Sequence, residues 1–522
     1  MRLEDKYPAS KLIRSSFIVI FFSGLNIVAG FITQVLLASY FGAGQQMDAY
    51  ITAASVPTLT NAVLLGSLNV TLVPVFLEYQ VRASRQQAWN IASSFLNLAA
   101  LVLIVVGVGM AALSGQIAHL IAPGYDQTAL LFTSRLLQIM LPNIVFSGTA
   151  GLLAGLCCAH QQFVLPSAAP VVNSLAIFVI TLAFAGRFGI QAVAVGTLAG
   201  GIAQCLLYLP WVIRRQGYSF RLDLKDEGVQ RIVQLTWPLI AASVIFRANI
   251  LIDRIIASTL PEGSVSYLGY AYKIITILLA ISTQGVSVTI FPLLSQYAAS
   301  QDMDRLRQAF LQGVRLAALV VLPLSAVLMA LRVPVIQVAF ERGEFNHNDT
   351  SAIAHALVPY LISMVFMGLG SVISQGYYIF QDTRTLAKVG VIQIAGYILY
   401  TYLLASLSSY IGIAIASILL YGISLQVNFR FLTLRLGKPN LRSEFAVLLR
   451  ILVSALASAL AAAWIDILLA FLPPLVALIA SGSAAAFVYL LLLRYVFPIE
   501  DLSILDTAIR RRMGGLLGKV VP

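Results

Sequence analysis

The amino-acid sequence predicts an all-α polytopic membrane protein with about 14 transmembrane helices. We expect two six-helix lobes related by a pseudo-twofold axis, followed by two C-terminal helices. Three observations support this prediction. The composition is too apolar for a water-exposed surface, apolar runs of helical length recur almost end to end, and several phrases occur twice at a nearly constant separation. Runs of about 20 apolar residues are typical of helices that cross a bilayer.

The composition separates this chain from soluble proteins. It has 522 residues, of which 59% are hydrophobic and 10% are charged, and its mean hydropathy is +0.90. Soluble domains carry about 25% charged residues, so bulk water is not the main environment of this chain. The alternation typical of a membrane β-barrel is absent. We expect no cleavable signal peptide, because the first apolar run is too long and lacks a cleavage site.

The apolar runs define fourteen predicted helices, whose ends are approximate. They are 14–40, 48–77, 88–114, 129–157, 163–186, 189–213, 230–260, 265–297, 306–331, 351–380, 385–407, 411–436, 443–471 and 474–497. An even number of crossings places both termini on the same side of the membrane.

The basic residues predict which side that is. Only Arg187, Arg332 and Arg342 lie on one side, whereas most of the 33 Lys and Arg residues lie in the alternate loops and the termini. An excess of Lys and Arg marks cytoplasmic loops, so we expect both termini in the cytoplasm. The net charge of +12 therefore indicates topology and contact with anionic membrane lipid, and we expect no nucleic-acid partner.

Paired phrases indicate an internal duplication. The pairs are "NVTLVPVFLEY" (69–79) with "SVTIFPLLSQY" (287–297), "LLASYFGAG" (36–44) with "IIASTLPEG" (255–263), "IAPGYDQ" (121–127) with "FERGEFN" (340–346), and Gly148 with Gly368. Their separation stays within two residues, so we predict an N-terminal lobe over 10–214 and a C-terminal lobe over 229–436. Two such lobes around a central cavity are typical of transporters. A duplicated channel or a scaffold that transports nothing is the alternative.

Charged residues inside predicted helices mark a candidate site. Helix 230–260 contains Arg247, Asp253 and Arg254, and the next helix contains Lys273. Such charges are expensive in a bilayer and are commonly functional. An Asp253–Lys273 ion pair would be purely structural, but it would leave two arginines over. Surplus cations in a cavity wall suit an anionic ligand, and guanidinium groups suit phosphate best.

Signatures of catalysis are missing from the sequence. It has no Walker-type phosphate loop, its four histidines lack metal-site spacing, and its three cysteines lie in apolar runs without disulfide or zinc spacing. We therefore expect a transporter rather than an enzyme, without a cofactor. An ion gradient, the membrane voltage or the substrate gradient would drive it.

Five motifs together resemble the MurJ/MviN family of the MOP exporter superfamily. They are "YFGAGQQMDAY" (40–50), "VPVFLEY" (73–79), "LPEGSVSYLGYAYK" (260–273), "FERGEFN" (340–346) and "YYIFQDTRT" (377–385). Members of this family flip lipid II, an undecaprenyl-diphosphate-linked peptidoglycan precursor, across the bacterial inner membrane. The resemblance implies alternating access, a cationic cavity, and a lipid-tail groove formed by the two helices in 443–497. Residues 498–522 would form a basic cytoplasmic tail.

The resemblance also assigns roles to residues. It implies substrate binding by Lys273 and Asn61, each of which stands where the family usually has an arginine, and the embedded cations Arg247 and Arg254 would bind the substrate with them. It implies coupling to Na⁺ or H⁺ through Asp253 and Asp382. The partners would be the lipid-linked substrate and membrane lipids, and the protein would be a monomer.

The first predicted helices depart from the family pattern. Neutral residues, Asn26, Ile27, Thr33 and Gln34, occupy the positions of a Ser-Arg and an Arg-Asp pair in helix 1. The cations expected in the cavity are thereby confined to the second lobe. Three alternatives stay open: an exporter of another lipid-linked oligosaccharide for exopolysaccharide or O-antigen, a cation-coupled drug antiporter, and a scaffold.

Overall fold

A computed structural model describes residues 9–215, 217–380, 383–437 and 441–497. These residues form seventeen α-helices and a short π-helix, with no strand among them. The helices are α1 (Ala9–Phe41), α2 (Gln45–Arg82), α3 (Arg85–Ala112), α4 (Ser114–Ile121), α5 (Gln127–Met140), α6 (Asn143–Ala159), α7 (Val164–Phe188), α8 (Gln191–Arg215), α9 (Glu227–Arg247), α10 (Asn249–Ala257), α11 (Ser264–Ala299), α12 (Met303–Ala330), α13 (Arg332–Phe340), α14 (His347–Ile379), α15 (Thr383–Leu436), α16 (Leu441–Leu468) and α17 (Pro474–Leu491), and the π-helix is Leu492–Val496.

Twelve helical stretches in the described part of the chain are long and apolar enough to cross a membrane. One of them, in α15, covers two predicted helices, 385–407 and 411–436, because the backbone bends sharply at Ser408 and Ser409 without ending the helix assignment. The predicted helix 230–260 is divided into α9 and α10 at Ala248. The predicted all-α polytopic fold is confirmed.

The chain divides into two compact units. Unit 1 contains the described residues up to Ser266 together with Arg342–Asn346, and unit 2 contains Tyr267–Glu341 and the described residues from His347 onwards. The lobe limits at 10–214 and 229–436 stay a prediction. The two extra helices of 443–497 are α16 and α17, whereas 498–522 lies outside the described residues.

The duplication is visible in the helix caps. Helices α3 and α12 each have 28 residues. The Ser84 side chain caps α3 by accepting from the Gln87 N–H, and the Asp302 side chain caps α12 by accepting from the Arg305 N–H. A side chain at the N-cap satisfies a backbone donor that the helix cannot pair itself. The two copies therefore start the same helix in the same way.

The duplication also reaches the bends. Gly189, between α7 and α8, has φ 56° and ψ −145°, and Ser409, at the bend of α15, has φ 54° and ψ −142°. A Cβ at Gly148 would lie 2.7 Å from Leu103, and one at Gly368 would lie 2.8 Å from Val321. Each copy thus packs α6 on α3, or α14 on α12, through a glycine.

Each unit has its own apolar core. In unit 1, Phe76, Trp89 and Trp211 cluster around His160 at one end of the bundle. In unit 2, α16 packs along α12, where the buried Tyr489 hydroxyl of α17 donates to the Leu319 carbonyl at 2.8 Å. Large apolar side chains elsewhere are exposed, as expected for helices that face lipid.

Candidate functional site

Two of the predicted substrate-binding cations are exposed. Arg247 is the last residue of α9 and Lys273 lies in the third turn of α11, and both side chains are exposed. Neither forms an ion pair or a side-chain hydrogen bond with a described residue. Both charges are therefore available to a ligand.

The third cation, Arg254, is differently placed. It lies in α10 and is half-buried, and its Nη1 donates to the Val265 carbonyl at 3.0 Å. Its Nε is buried without a hydrogen-bond partner. Ala248, which separates α9 from α10, lies between Arg247 and Arg254 along the chain. Asp253, the predicted ion-coupling acid beside it, is half-buried in the same helix.

Asn61 is engaged within unit 1. Its Nδ2 donates to the Ser147 hydroxyl at 2.6 Å, while its Oδ1 is buried without a partner. The second predicted ion-coupling acid, Asp382, lies outside the described residues. Within the described ranges, no group of three or more His, Cys, Asp or Glu side chains is arranged to hold a metal ion.

A second cluster of polar contacts joins four turns of unit 1. We call it the turn cluster, and it consists of residues 39–52, 124–125, 254–266 and 343–344. Its centre is the carboxylate of Asp48, which is only 4% exposed. Asp48 accepts from the N–H of Gly263 at 2.7 Å, from the N–H of Ser266 at 2.7 Å and from the Ser266 hydroxyl at 2.5 Å. The carboxylate thus caps the N-terminus of α11, where negative charge is favourable.

The capping is reciprocal. Glu262, in the turn before α11, accepts from the N–H of Gln45, the first residue of α2, at 2.8 Å. Helices α2 and α11 are the second helices of the two copies, so each receives an acidic cap from the segment belonging to the other. Two helix N-termini are thereby tied together by two carboxylates.

The glycines of the paired phrases make a matching pair of contacts. A Cβ at Gly124 would lie 2.4 Å from the carbonyl oxygen of Ser258, and a Cβ at Gly343 would lie 2.1 Å from that of Ser39. Gly343 also has φ +64°, and the N–H of Glu344 donates to the Ser39 carbonyl at 3.0 Å. The turn of each copy therefore lies directly on the first helix of the other, at a place where only glycine fits.

Tyr125 completes the turn cluster. Its hydroxyl lies 3.1 Å from the Thr52 hydroxyl. Burial raises the pKa of Tyr125 above its ordinary value, and the negative charge of Asp48 raises it further, whereas the Thr52 hydrogen bond and Arg254 oppose the rise. The phenol therefore stays protonated at neutral pH, and Asp48 and Arg254 belong to one electrostatic neighbourhood.

The sequence prediction quoted Asp48 within a motif but gave it no role. One signal was available: an acidic residue in the first turn of a predicted membrane helix, directly after a glycine-rich turn. A carboxylate there is costly without partners. Its donors are far away along the chain, in the turn before α11, which residue patterns alone do not reveal.

The chain is similar to known proteins in both sequence and structure. The family model described as "Lipid II flippase MurJ" matches residues 37–493. The "Probable lipid II flippase MurJ" of Vibrio cholerae is 27% identical over 424 residues, covering 78% of this chain and 80% of that protein. The "Lipid II flippase MurJ" of Burkholderia cenocepacia is 25% identical over 460 residues, covering 86% and 88% respectively.

The solved structures agree on the fold. A lipid II flippase MurJ in an inward closed conformation matches with a TM-score of 0.78 at 20% identity, covering 96% of this chain and 99% of that one. An inward-facing multidrug resistance MATE transporter of the MOP superfamily matches with 0.70 at 14% identity, covering 80% and 98%. The family model spans most of the chain, including both copies of the repeat. The chain therefore belongs to the MurJ lipid II flippase family.

Proposed function

We propose that this protein is a flippase that carries lipid II from the cytoplasmic to the outer leaflet of the bacterial inner membrane by alternating access. The observation that carries the proposal is the family match over residues 37–493. The protein would act as a monomer with both termini in the cytoplasm, and it would supply peptidoglycan synthesis without a catalytic step of its own.

The diphosphate of the substrate would bind to Arg247 and Lys273. Both side chains are exposed and lack an acidic partner among the described residues. An anionic headgroup crossing an apolar medium needs compensating charge, and a guanidinium with an ammonium supplies it. Arg254 would contribute less, because part of its guanidinium is already bonded to Val265. Asn61 would contribute a neutral donor through the second N–H of its Nδ2, since the first is bonded to Ser147.

The turn cluster would close the substrate pathway at its non-cytoplasmic end. The charge pattern assigns its turns to that side of the membrane. Its hydrogen bonds to Asp48 and Glu262 are each worth about 1.5–3 kcal/mol, as for bonds to charged groups. Opening the turn cluster would break these hydrogen bonds, and the binding energy of the substrate could offset that cost.

The direct test is lipid II translocation in proteoliposomes. We expect Arg247→Ala and Lys273→Ala each to slow translocation at least tenfold, because each removes a contact to the diphosphate. Asn61→Ala should slow it less. The control is Arg305→Ala, another exposed arginine, which pairs with Asp302 at the start of α12. Folding is monitored by thermal unfolding in detergent. Wild-type rates in both cation variants would refute the assigned site.

A second candidate substrate fits the same mechanism. Asn61 is neutral where the family usually has an arginine, which favours another undecaprenyl-diphosphate-linked oligosaccharide with fewer anionic groups. The discriminating experiment is rescue of a cell depleted of its lipid II flippase. Rescue by this chain supports lipid II as substrate, and failure of a well-expressed chain supports the second substrate.

Ion coupling through Asp253 is part of the proposal. Asp253 is half-buried in α10, and a carboxylate oxygen is a suitable ligand for Na⁺ or acceptor for H⁺. We expect Asp253→Asn to abolish the acceleration of translocation by an imposed Na⁺ or H⁺ gradient while leaving the gradient-free rate largely unchanged. If the variant responds to both gradients as wild type does, Asp253 is not the coupling acid.

A further inference from the structure

Unit 1 contains an apolar groove apart from the candidate site. Its volume is about 480 Å³, and helices α3, α6 and α8 form its walls. Leu153 and Cys205 line it, as do Ile213, near the C-terminal end of α8, and Tyr218, in the connector that follows α8. The volume lies within the range of small-molecule sites, about 300–1,000 Å³. The lining segments of the three helices belong to candidate membrane spans, so the groove is apolar space at membrane depth.

The connector between α8 and α9 fixes one end of the groove. Residues 217–223 have no helical structure and follow α3 through its polar side chains. The Ser219 N–H donates to Ser93 Oγ at 3.2 Å, and Asn97 Nδ2 donates to the Arg221 carbonyl at 2.8 Å. The Tyr218 hydroxyl donates to Asn97 Oδ1 at 2.7 Å. The aromatic ring of Tyr218 is thus held at the groove by a bonded hydroxyl.

The same connector has an outward apolar edge. Phe220 is 93% exposed, and Leu222 and Leu224 are also exposed. They alternate with residues 219, 221 and 223, whose backbone forms hydrogen bonds to α3. This alternation is expected, because the side chains of an extended segment point alternately to opposite sides. Exposed apolar side chains next to basic residues are typical of a segment that enters the lipid headgroup region.

An unpaired cation lies at this end of the groove. Arg214 directly follows the groove residue Ile213, its side chain is exposed, and it forms no ion pair with any described residue. Arg221 nearby in the connector is paired with Asp223 at 2.9 Å. The charge pattern assigns this end to the cytoplasmic leaflet, whose lipids include anionic ones.

We propose that this groove is a binding site for one anionic phospholipid of the cytoplasmic leaflet. One acyl chain lies in the groove beside Cys205, the phosphate contacts Arg214, and Tyr218 lies between the two. The apolar edge at Phe220 keeps the connector in the headgroup region. The site lies on α3, α6 and α8, so it is separate from the residues assigned to the flipped substrate.

Cys205 provides the measurement. Cys157 is buried, and a Cys158→Ser background leaves Cys205 as the accessible thiol. The protein is placed in phosphatidylcholine nanodiscs with or without phosphatidylglycerol of the same acyl chains. Alkylation by a membrane-permeant maleimide is then followed. We expect phosphatidylglycerol to slow alkylation of Cys205 severalfold.

Arg214→Gln should remove this protection, and the matched control Arg430→Gln, an exposed arginine near the end of α15, should keep it. Equal alkylation rates in both nanodiscs would overturn the proposal, since bulk lipid then fills the groove. Stronger protection by undecaprenyl phosphate than by phosphatidylglycerol would also overturn it, because the groove would then belong to the flipped lipid. Lipid II translocation is measured in parallel, and it can fail or persist independently of these outcomes.

Discussion

The two copies of the repeat carry their polar groups differently in their first helices. At the positions where the family pattern is lost, the first copy has neutral polar groups bonded within unit 1: Asn26 accepts from Ser174, Thr33 donates to the Ser174 carbonyl, and Asn61 donates to Ser147. In the second copy, Arg247 and Lys273 are charged and exposed. The difference indicates that one copy has kept a mainly structural role for these positions, while the other presents charge to a ligand.

Other features have not diverged between the copies. The capping of α3 and α12 and the glycine contacts of Gly148 and Gly368 are the same in both. These features satisfy backbone donors and allow close helix packing, so any copy that folds must keep them. The diverged polar residues Asn61, Arg247 and Lys273 satisfy no donor at a helix end, so they are under no such constraint. The shared features are therefore those that the fold requires, and the diverged positions are those that the proposed ligand site can use.

The largest expected effect comes from the matching glycine contacts. Gly343→Ala would place a Cβ against the Ser39 carbonyl and force φ +64° on a residue with a side chain. We expect the free energy of unfolding to fall by about 2–5 kcal/mol, from backbone strain and overpacking together. Lipid II translocation should fall with it, since the turn cluster no longer closes. Thermal unfolding in detergent and the proteoliposome assay measure the two effects.

The control for this variant is Gly115→Ala in α4, where a Cβ has open space around it. It should change neither quantity. Gly124→Ala, the equivalent change in the other copy, should resemble Gly343→Ala. If Gly343→Ala lowers the free energy of unfolding and Gly124→Ala does not, the two contacts are not energetically equivalent, although their geometry is similar.

A smaller effect is expected from the acidic cap. Asp48→Asn keeps the size of the side chain but replaces one acceptor oxygen with an NH2 donor, which must face the N–H of either Gly263 or Ser266. We expect a loss of about 1.5–3 kcal/mol of unfolding free energy, equivalent to one hydrogen bond to a charged group, and reduced translocation. Glu78→Gln, an acid on the same helix whose two partners Arg82 and Arg231 are exposed, should alter stability by less than about 0.5 kcal/mol. Equal effects of the two variants would refute a special role for Asp48.

Much of this architecture could be predicted from the sequence, because its causes are local. The apolar runs predicted the helices. The paired phrases predicted the duplication, because segments of similar sequence adopt similar folds. The break between Arg247 and Asn249 left no local signal: Ala248 keeps right-handed helical angles, and no proline or glycine stands there. The partners of Asp48 and Gly343 depend on turns distant in the chain, so their contacts required the tertiary structure.

The smallest expected effect concerns a bend that the two copies build with different residues, Gly189 and Ser409. Ser409 adopts φ 54° and ψ −142°, a region that costs a residue with a side chain about 1–3 kcal/mol. Gly189 adopts the same angles in the first copy, where a Cβ would meet only Gln46 Oε1 at 3.9 Å. Ser409→Gly should therefore raise the free energy of unfolding by about 0.5–2 kcal/mol, because the strain that it relieves exceeds the entropy that the glycine adds to the unfolded chain. Gly189→Ser should lower the free energy of unfolding by about 1–3 kcal/mol. Thermal unfolding of both variants checks the pair. Shifts of opposite sign would show that backbone strain alone distinguishes the two bends, whereas a destabilising Ser409→Gly would show that the serine side chain stabilises its bend in a way that the glycine of the first copy cannot.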